Sequence, residues 1–207
     1  LIIIMSTTRL AMEGIKAAKS ALRKEIANII SGLSPEEKAR QSTAVFQQLT
    51  KLPEYERSRR VSLYLSTEDE IDTVKILDDI FKKGKEAFVP RYVGNSMSMV
   101  KLKDMEDYEK LPLTKWNIKQ PAKGDIRDDA LETGGLDLVI LPGVAFTKSG
   151  HRLGHGMGYY DKFLWKCFEA QEKKPHLIAV AFSEQVRNTI PINDQDVRLD
   201  LIVTEKK

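Results

Sequence analysis

Gly154, Gly156 and Gly158 fall at alternate positions in the run Arg152-Leu153-Gly154-His155-Gly156-Met157-Gly158-Tyr159-Tyr160-Asp161. That spacing excludes a packed strand and a helix interior, because glycine brings no side chain to a core and loses the most backbone freedom on ordering. A segment this rich in glycine curls tightly instead. A tight curl turns successive N–H groups toward one point, and that geometry holds an anion. The flanks narrow the fold further. Leu136-Asp137-Leu138-Val139-Ile140-Leu141 is a short, nearly unbroken apolar run closed by Pro142-Gly143, the composition of a buried strand in a parallel sheet. Beyond the glycines, Tyr160, Phe163, Leu164, Cys167 and Phe168 recur at three- and four-residue intervals and predict a helix over 159–172. Strand, glycine loop and helix start, with Arg152 ahead of the glycines, describe a phosphate site at a helix N-terminus beyond the carboxyl end of a strand. The spacing is neither the dinucleotide GxGxxG nor a P-loop, since no Gly-Lys-Ser/Thr closes it. An isolated GxGxG would be read as a surface turn; the flanking strand is what argues for a site.

The rest of the chain fits the same architecture. Ile15, Ala18, Leu22, Ile26 and Ile29 predict one face of a helix over 12–31, with Lys16, Lys19 and Arg23 as a basic stripe beside it. Ser34-Pro35-Glu36-Glu37 opens a second helix to about Leu49, with a capping serine and proline in the first turn. Strands are predicted at 61–65, 87–90, 97–102 (an edge strand), 136–141, 177–182 and 201–203, and a further helix at 73–83. Residues 104–135, broken by Pro112, Pro121, Gly124 and Gly134-Gly135, predict a long irregular segment, more often functional than idle. Strands alternating with helices make this an α/β chain with a largely parallel central sheet.

Its 207 residues suffice for one substantial core. Lysine and arginine number 33 against 30 acidic residues, a near balance that argues against nucleic acid as a partner. A lone cysteine, Cys167, rules out a disulfide framework and suits the cytoplasm. The four apolar residues before Met5 are too few for a membrane span or signal core and read as an artefact. Residues 1–11 are expected to be a disordered or extraneous N-terminus, and 12–207 a single domain. A weak mitochondrial presequence around Arg9 is the lesser alternative.

Phosphoryl chemistry needs cations on the phosphoryl oxygens, a metal ion and a positioned acceptor. Arg152 can grip a phosphate through two hydrogen bonds. Lys19 and Arg23 can reach the same anion if the first helix packs beside the loop; a solvated helix face is the simpler account of both. Asp161 is either a magnesium ligand or a carboxylate answering the helix dipole. Asp196, in the polar run Asp194-Gln195-Asp196, is by itself a turn residue. His155 is a phosphate donor or incidental. His151 and His176 show no metal spacing with it, so zinc is not expected. Trp116 is a platform for a ring system or a peg holding the long loop. Glu70 lies past a strand end, where ligands gather, or simply starts a helix.

Taken together, Pro142-Gly143-Val144-Ala145-Phe146, the segment Gly150 to Asp161, Trp116-Asn117-Ile118-x-Gln120-Pro121, Lys19-x-x-x-Arg23 and Glu70 resemble the 5-formyltetrahydrofolate cyclo-ligase family, the animal enzymes most of all. The resemblance implies a three-layer α/β/α sandwich and an ATP-dependent ring closure of 5-formyltetrahydrofolate to 5,10-methenyltetrahydrofolate. It implies Arg152 and Tyr160 as catalytic residues. It assigns Lys19, Arg23, Arg152, Leu153, Gly154, His155, Gly156, Met157, Gly158, Tyr159 and Tyr160 to ATP. It assigns Leu65, Glu70, Trp116, His155, Gly156, Met157, Gly158 and Tyr159 to the folate, and Asp161 and Asp196 to Mg2+. His155 and Met157 depart from the arginine and lysine common in the animal pattern, which implies weaker hold on nucleotide or on a polyglutamate tail. A monomer acting on small molecules is expected, with no membrane contact. The alternatives are a catalytically weak folate- or nucleotide-binding protein of the same fold and a sugar-phosphate isomerase of similar layout.

Overall fold

The computed structural model of the chain describes residues 2–114 and 117–206. In chain order its elements are α1 (Ile2–Ser31), α2 (Pro35–Leu49), α3 (Pro53–Arg57), β1 (Arg60–Leu63), α4 (Val74–Lys82), β2 (Glu86–Val93), β3 (Ser96–Leu102), α5 (Met105–Glu109), β4 (Leu138–Leu141), β5 (Ala145–Thr147), β6 (Arg152–Leu153), α6 (Tyr159–Ala170), β7 (His176–Val180), β8 (Val186–Arg187) and β9 (Leu201–Val203). The main sheet runs β3-β2-β1-β4-β7-β9. All neighbours are parallel except the β2–β3 hairpin, which turns at Gly94 (φ 59°) and leaves β3 at the edge. Helices flank this mixed, mostly parallel sheet, as an α/β architecture requires.

Burial on both faces explains the unbroken apolar strands. Val61 pairs with Leu138 and Leu63 with Ile140 in register, and every residue of β4 is buried. Each such side chain contributes about 1.5–3 kcal/mol on burial. In α6, Phe163, Leu164 and Cys167 are inward, which anchors the helix and hence fixes its N-terminal turn at the end of the glycine loop. Burial also pushes the Cys167 thiol up to about 12, so this cysteine packs rather than reacts.

Chain order places the site. From β1 the chain passes through α4 to β2 on one side of the sheet; β4 leads through α6 to β7 on the other. β1 and β4 are neighbours, so the connections diverge between their carboxyl ends, where open α/β sheets bind ligands. The segment holding Leu65 and Glu70 follows β1, and the glycine loop follows β4 by way of β5 and β6.

Several boundaries differ from the sequence expectation. α1 begins at Ile2 rather than 12, because residues 2–13 contain no glycine or proline to stop it. Its inward residues are Ile26 and Ile30, and Ile29 is exposed. β1 ends at Leu63, so Leu65 lies beyond the strand. The segment 104–135 contains α5 and is tied down: Arg127 grips Asp107 through two bonds (2.6 and 2.7 Å), and Arg91 Nη1 donates to Asp125 O at 2.8 Å.

A second sheet, β6-β5-β8, was not legible in advance. Its strands are only two or three residues long, and β8 joins β5 from some 40 residues away, so no local periodicity announces them. This sheet carries Arg152. Beside it Gly150 (φ 92°) crosses Leu199 so closely that a Cβ would stand 2.3 Å from Leu199 O, and Leu199 N donates to Gly150 O at 2.8 Å. The crossing holds the segment bearing Asp196 against the small sheet. Gly150→Ala is therefore expected to cost about 2 kcal/mol or more in stability, visible as a lowered melting temperature; a melt equal to the parent's would show that the crossing can relax.

Candidate active site

α1 lies over the glycine loop, so Lys19 and Arg23, one helical turn apart, face the cleft instead of solvent. Lys19 Nζ donates to Asp196 Oδ2 at 2.5 Å, and Arg23 Nε donates to Gly154 O at 2.8 Å. Both side chains are half-buried. Gly156 (φ 111°) sits in a backbone conformation that favours glycine, and the Arg23 guanidinium carbon packs in ordinary contact range, 3.5 Å from where a Cβ would stand. Gly158 (φ 68°) is the left-handed residue that turns the chain into α6. Among the described residues, the amides of His155, Gly156 and Met157 donate to no other group. They are available to an anion at the positive end of α6. His155 and Met157 are exposed, whereas Leu153 is buried in β6.

Arg152 does not sit on a flexible loop. It belongs to β6, and its side chain is 3% exposed. Nη2 donates to Asp161 Oδ2 at 3.0 Å and Nη1 to Pro142 O at 3.4 Å, with the guanidinium 5.7 Å from the Tyr160 ring centroid. Its Nε is buried without a partner among the described residues. Asp161 Oδ1 accepts from Val197 N at 3.1 Å, so the residue beside Asp196 is pinned to the first turn of α6. Asp196 is a turn residue as well, accepting from Asn193 N at 2.8 Å. The two aspartates are thus brought together from segments 35 residues apart in sequence. Among the described residues no cluster of three or more histidine, cysteine or acidic side chains forms a closed metal site. Carboxylates such as Asp161 and Asp196 suit magnesium, which takes one or two protein carboxylates and completes its shell with water and phosphate oxygens.

The other half of the cleft is aromatic. Tyr160 is buried, and its hydroxyl has no hydrogen-bond partner among the described residues. Burial raises its pKa well above the ordinary phenol value; Tyr92 and Glu70 add to this and Arg152 opposes it. The hydroxyl therefore stays protonated and can donate. Tyr92, pushed up to about 12 mainly by burial, meets Tyr159 edge-on at 5.0 Å between centroids. Tyr159 Oη donates to Gly94 O at 3.0 Å, which links the β2–β3 turn to the glycine loop. Glu70 accepts from Thr67 N and Thr67 Oγ1 at 2.9 and 3.1 Å, and its charge reaches both Tyr92 and Tyr160. Leu65 is buried. Trp116 lies outside the described residues.

Sequence reasoning missed Tyr92. The predicted strand stopped at Pro90, whereas β2 continues to Val93 through its hairpin pairing with β3, Tyr92 against Met97. It also missed the backbone groups of Pro142, Gly94 and Val197, which have no residue-type signature.

Basic side chains and free loop amides at the start of α6, near the switch point of a mostly parallel sheet, define an α/β protein with an anion-binding type of loop. The profile of the 5-formyltetrahydrofolate cyclo-ligase family matches residues 15–205, and the chain belongs to that family. The mouse protein named 5-formyltetrahydrofolate cyclo-ligase is 46% identical over 193 residues, covering 92% of this chain and 95% of its own. A Caenorhabditis elegans protein named probable 5-formyltetrahydrofolate cyclo-ligase is 40% identical, covering 94% and 96%. Among solved structures, the Aquifex aeolicus 5,10-methenyltetrahydrofolate synthetase superposes with a TM-score of 0.73 at 32% identity, covering 92% of this chain and 91% of that one. The family makes the chain a ligase, and the isomerase alternative finds no support in these matches.

Proposed function

We propose that this chain catalyses the ATP-dependent cyclisation of 5-formyltetrahydrofolate to 5,10-methenyltetrahydrofolate, releasing ADP and phosphate. The observation that carries this reading is the gathering of Lys19, Arg23 and Arg152 around the glycine loop, with three unpartnered loop amides and with Asp161 and Asp196 among their partners. The name carried by the mouse relative supplies the substrate.

A formamide oxygen is a weak nucleophile and a poor leaving group. Attack by that oxygen on the γ-phosphorus of ATP breaks the bond to ADP and yields an imidate phosphate. The folate nitrogen on the aminobenzoyl side then attacks the activated carbon and gives up its proton to the departing phosphate or water, phosphate leaves with the C–O electron pair, and the five-membered ring closes. No protein nucleophile is needed; the protein positions two ligands and offsets charge. Arg152 and the loop amides face the transferred phosphoryl group. Lys19 and Arg23 exchange their internal acceptors for phosphate oxygens. Leu65, Glu70, Trp116 and Tyr159 hold the folate, and the protonated Tyr160 hydroxyl donates between the two ligands. Asp161 and Asp196 would hold Mg2+, which would supply charge neutralisation of the phosphates.

Among the described residues no helix is long and apolar enough to cross a membrane. We place the enzyme in the cytoplasm, which its buried free Cys167 suits, and expect a monomer; an Arabidopsis relative named as mitochondrial is 30% identical.

Mixing the protein with 5-formyltetrahydrofolate and MgATP should produce the absorbance of the methenyl product. Omitting ATP, or adding EDTA, should abolish it. Conversion at the same rate without nucleotide would overturn the ligase reading, and a protein that binds both ligands without turnover would be the binding protein of the alternative.

A further inference from the structure

The small sheet that carries Arg152 is joined to the main sheet by a buried amide. Gln185 ends the short 3-10 turn Ser183–Gln185 between β7 and β8, and it is 5% exposed. A glutamine amide has one acceptor oxygen and two N–H donors. All of them are used here. Oε1 accepts from Phe182 N at 2.8 Å, two residues past the end of β7. Nε2 donates to Gly143 O at 2.8 Å and to Val144 O at 3.1 Å, between β4 and β5. The next residue, Val186, pairs with Phe146 of β5. Gln185 thus ties the chain leaving β7 to the chain leaving β4, two neighbouring strands of the main sheet.

Residues 142–144 in turn pack on Arg152. Pro142 O accepts from Arg152 Nη1 at 3.4 Å, and Val144 N donates to Leu153 O at 2.7 Å. The backbone at Gly143 runs so close that a Cβ there would stand 3.1 Å from Arg152 Cγ. Arg152 Nε has no partner among the described residues. Its guanidinium has one bond of ordinary length among them, to Asp161 at 3.0 Å, and a 3.4 Å bond is soon lost if its acceptor shifts. The aim of the guanidinium therefore depends on where residues 142–144 stand, and Gln185 holds two of their three carbonyls.

We propose that Gln185 is a positioning residue for phosphoryl transfer, acting through Arg152 by fixing the Pro142–Val144 turn. The proposal rests on the ATP-dependent reading above. It is tested by a double-mutant cycle on turnover with Gln185→Met, Arg152→Ala and the two combined. Methionine keeps the side-chain length and removes all three hydrogen bonds. Gln185→Met should lower kcat roughly tenfold or more, since a misplacement of about 1 Å costs on the order of 10²-fold. KM for ATP and for 5-formyltetrahydrofolate should stay within about threefold, because the lost interaction is one made in the transition state. In the Arg152→Ala background the same substitution should cost less than about twofold, the group it acts through being gone. Gln41→Met is the control. Gln41 is fully buried, accepts from Ser183 N at 2.9 Å and donates to Glu184 at 2.9 Å. It braces the same turn from α2, with no hydrogen bond to residues 142–144 among those described. Its loss should lower the melting temperature and leave kcat within about twofold. A parent-like kcat for Gln185→Met would overturn the proposal. So would losses that simply multiply in the double variant, or an equal fall in kcat for Gln41→Met, since Gln185 would then be only a structural brace. Should Gln185→Met not fold, Gln185→Glu carries the same comparison: it keeps the acceptor for Phe182 N and withdraws the donor from Gly143 and Val144. A parent without ATP-dependent turnover is a different result, which removes the reading beneath the proposal before the cycle is measured.

Discussion

Arg152→Ala should lower turnover by a factor on the order of 10²–10³ at saturating ATP and 5-formyltetrahydrofolate, the usual loss when one preorganised transition-state donor is deleted. The guanidinium is held rigidly by Asp161 and Pro142 in the strand that feeds the glycine loop, so it needs no reorganisation when charge develops on the phosphoryl group. Arg152→Lys keeps the charge but not the two-pronged geometry, and should fall between parent and alanine. From the sequence, Arg152 reads as the neighbour of a flexible loop whose removal leaves stability untouched. The structure revises that expectation. With a side chain 3% exposed and paired to a carboxylate, its loss strands Asp161 and should also cost about 1–3 kcal/mol of stability. Rates must therefore be compared well below the melting temperature of the variant. An unchanged rate of ATP turnover with only weaker folate binding would assign the phosphate to Lys19 and Arg23 instead.

Asp161→Asn should be nearly as damaging. The substitution preserves volume but removes the charge that both holds Arg152 and, in the proposed complex, attracts Mg2+. Even groups that only orient a metal ligand cost roughly 10–100-fold when removed, and Asp161 is asked to do that and to ligate. Turnover should fall at least that far, and the Mg2+ concentration for half-maximal rate should rise. The variant should still fold, since Asp161 is 21% exposed at its side chain and Asn still offers Val197 N an acceptor oxygen. A parent-like Mg2+ dependence would make Asp161 a partner of Arg152 and of the helix dipole alone.

How legible the molecule was depended on how local each signal is. The buried strand β4, the glycine loop and α6 are contiguous, and their composition is enough to declare them: apolar residues without alternation, glycines that no regular element tolerates, then a helical repeat. The Ser34 cap of α2 is likewise a local device, and its hydroxyl accepts from Glu37 N at 3.2 Å as the sequence predicts. The small β6-β5-β8 sheet escaped because each strand is too short for a period to show and β8 reaches β5 from far along the chain. Tyr92 escaped because the strand carrying it is prolonged by a hairpin partner.

By itself, then, the sequence determined an α/β chain with a phosphate-type loop at a helix start, because those features follow from backbone freedom and side-chain periodicity within some thirty residues. It left Lys19 and Arg23 more simply read as a solvated face and Asp196 as a turn residue, and it left Asp161 undecided between metal and dipole. Only the tertiary structure decided which groups these side chains meet. Packing α1 over the loop sets Lys19 on Asp196 and Arg23 on Gly154, and the backbone crossing at Gly150 and Leu199 helps hold the Asp196 segment near Asp161. A residue's role in such a site depends on which distant segments its own element is packed against, and that is fixed by burial of the whole core, not by the residue's neighbours in the chain.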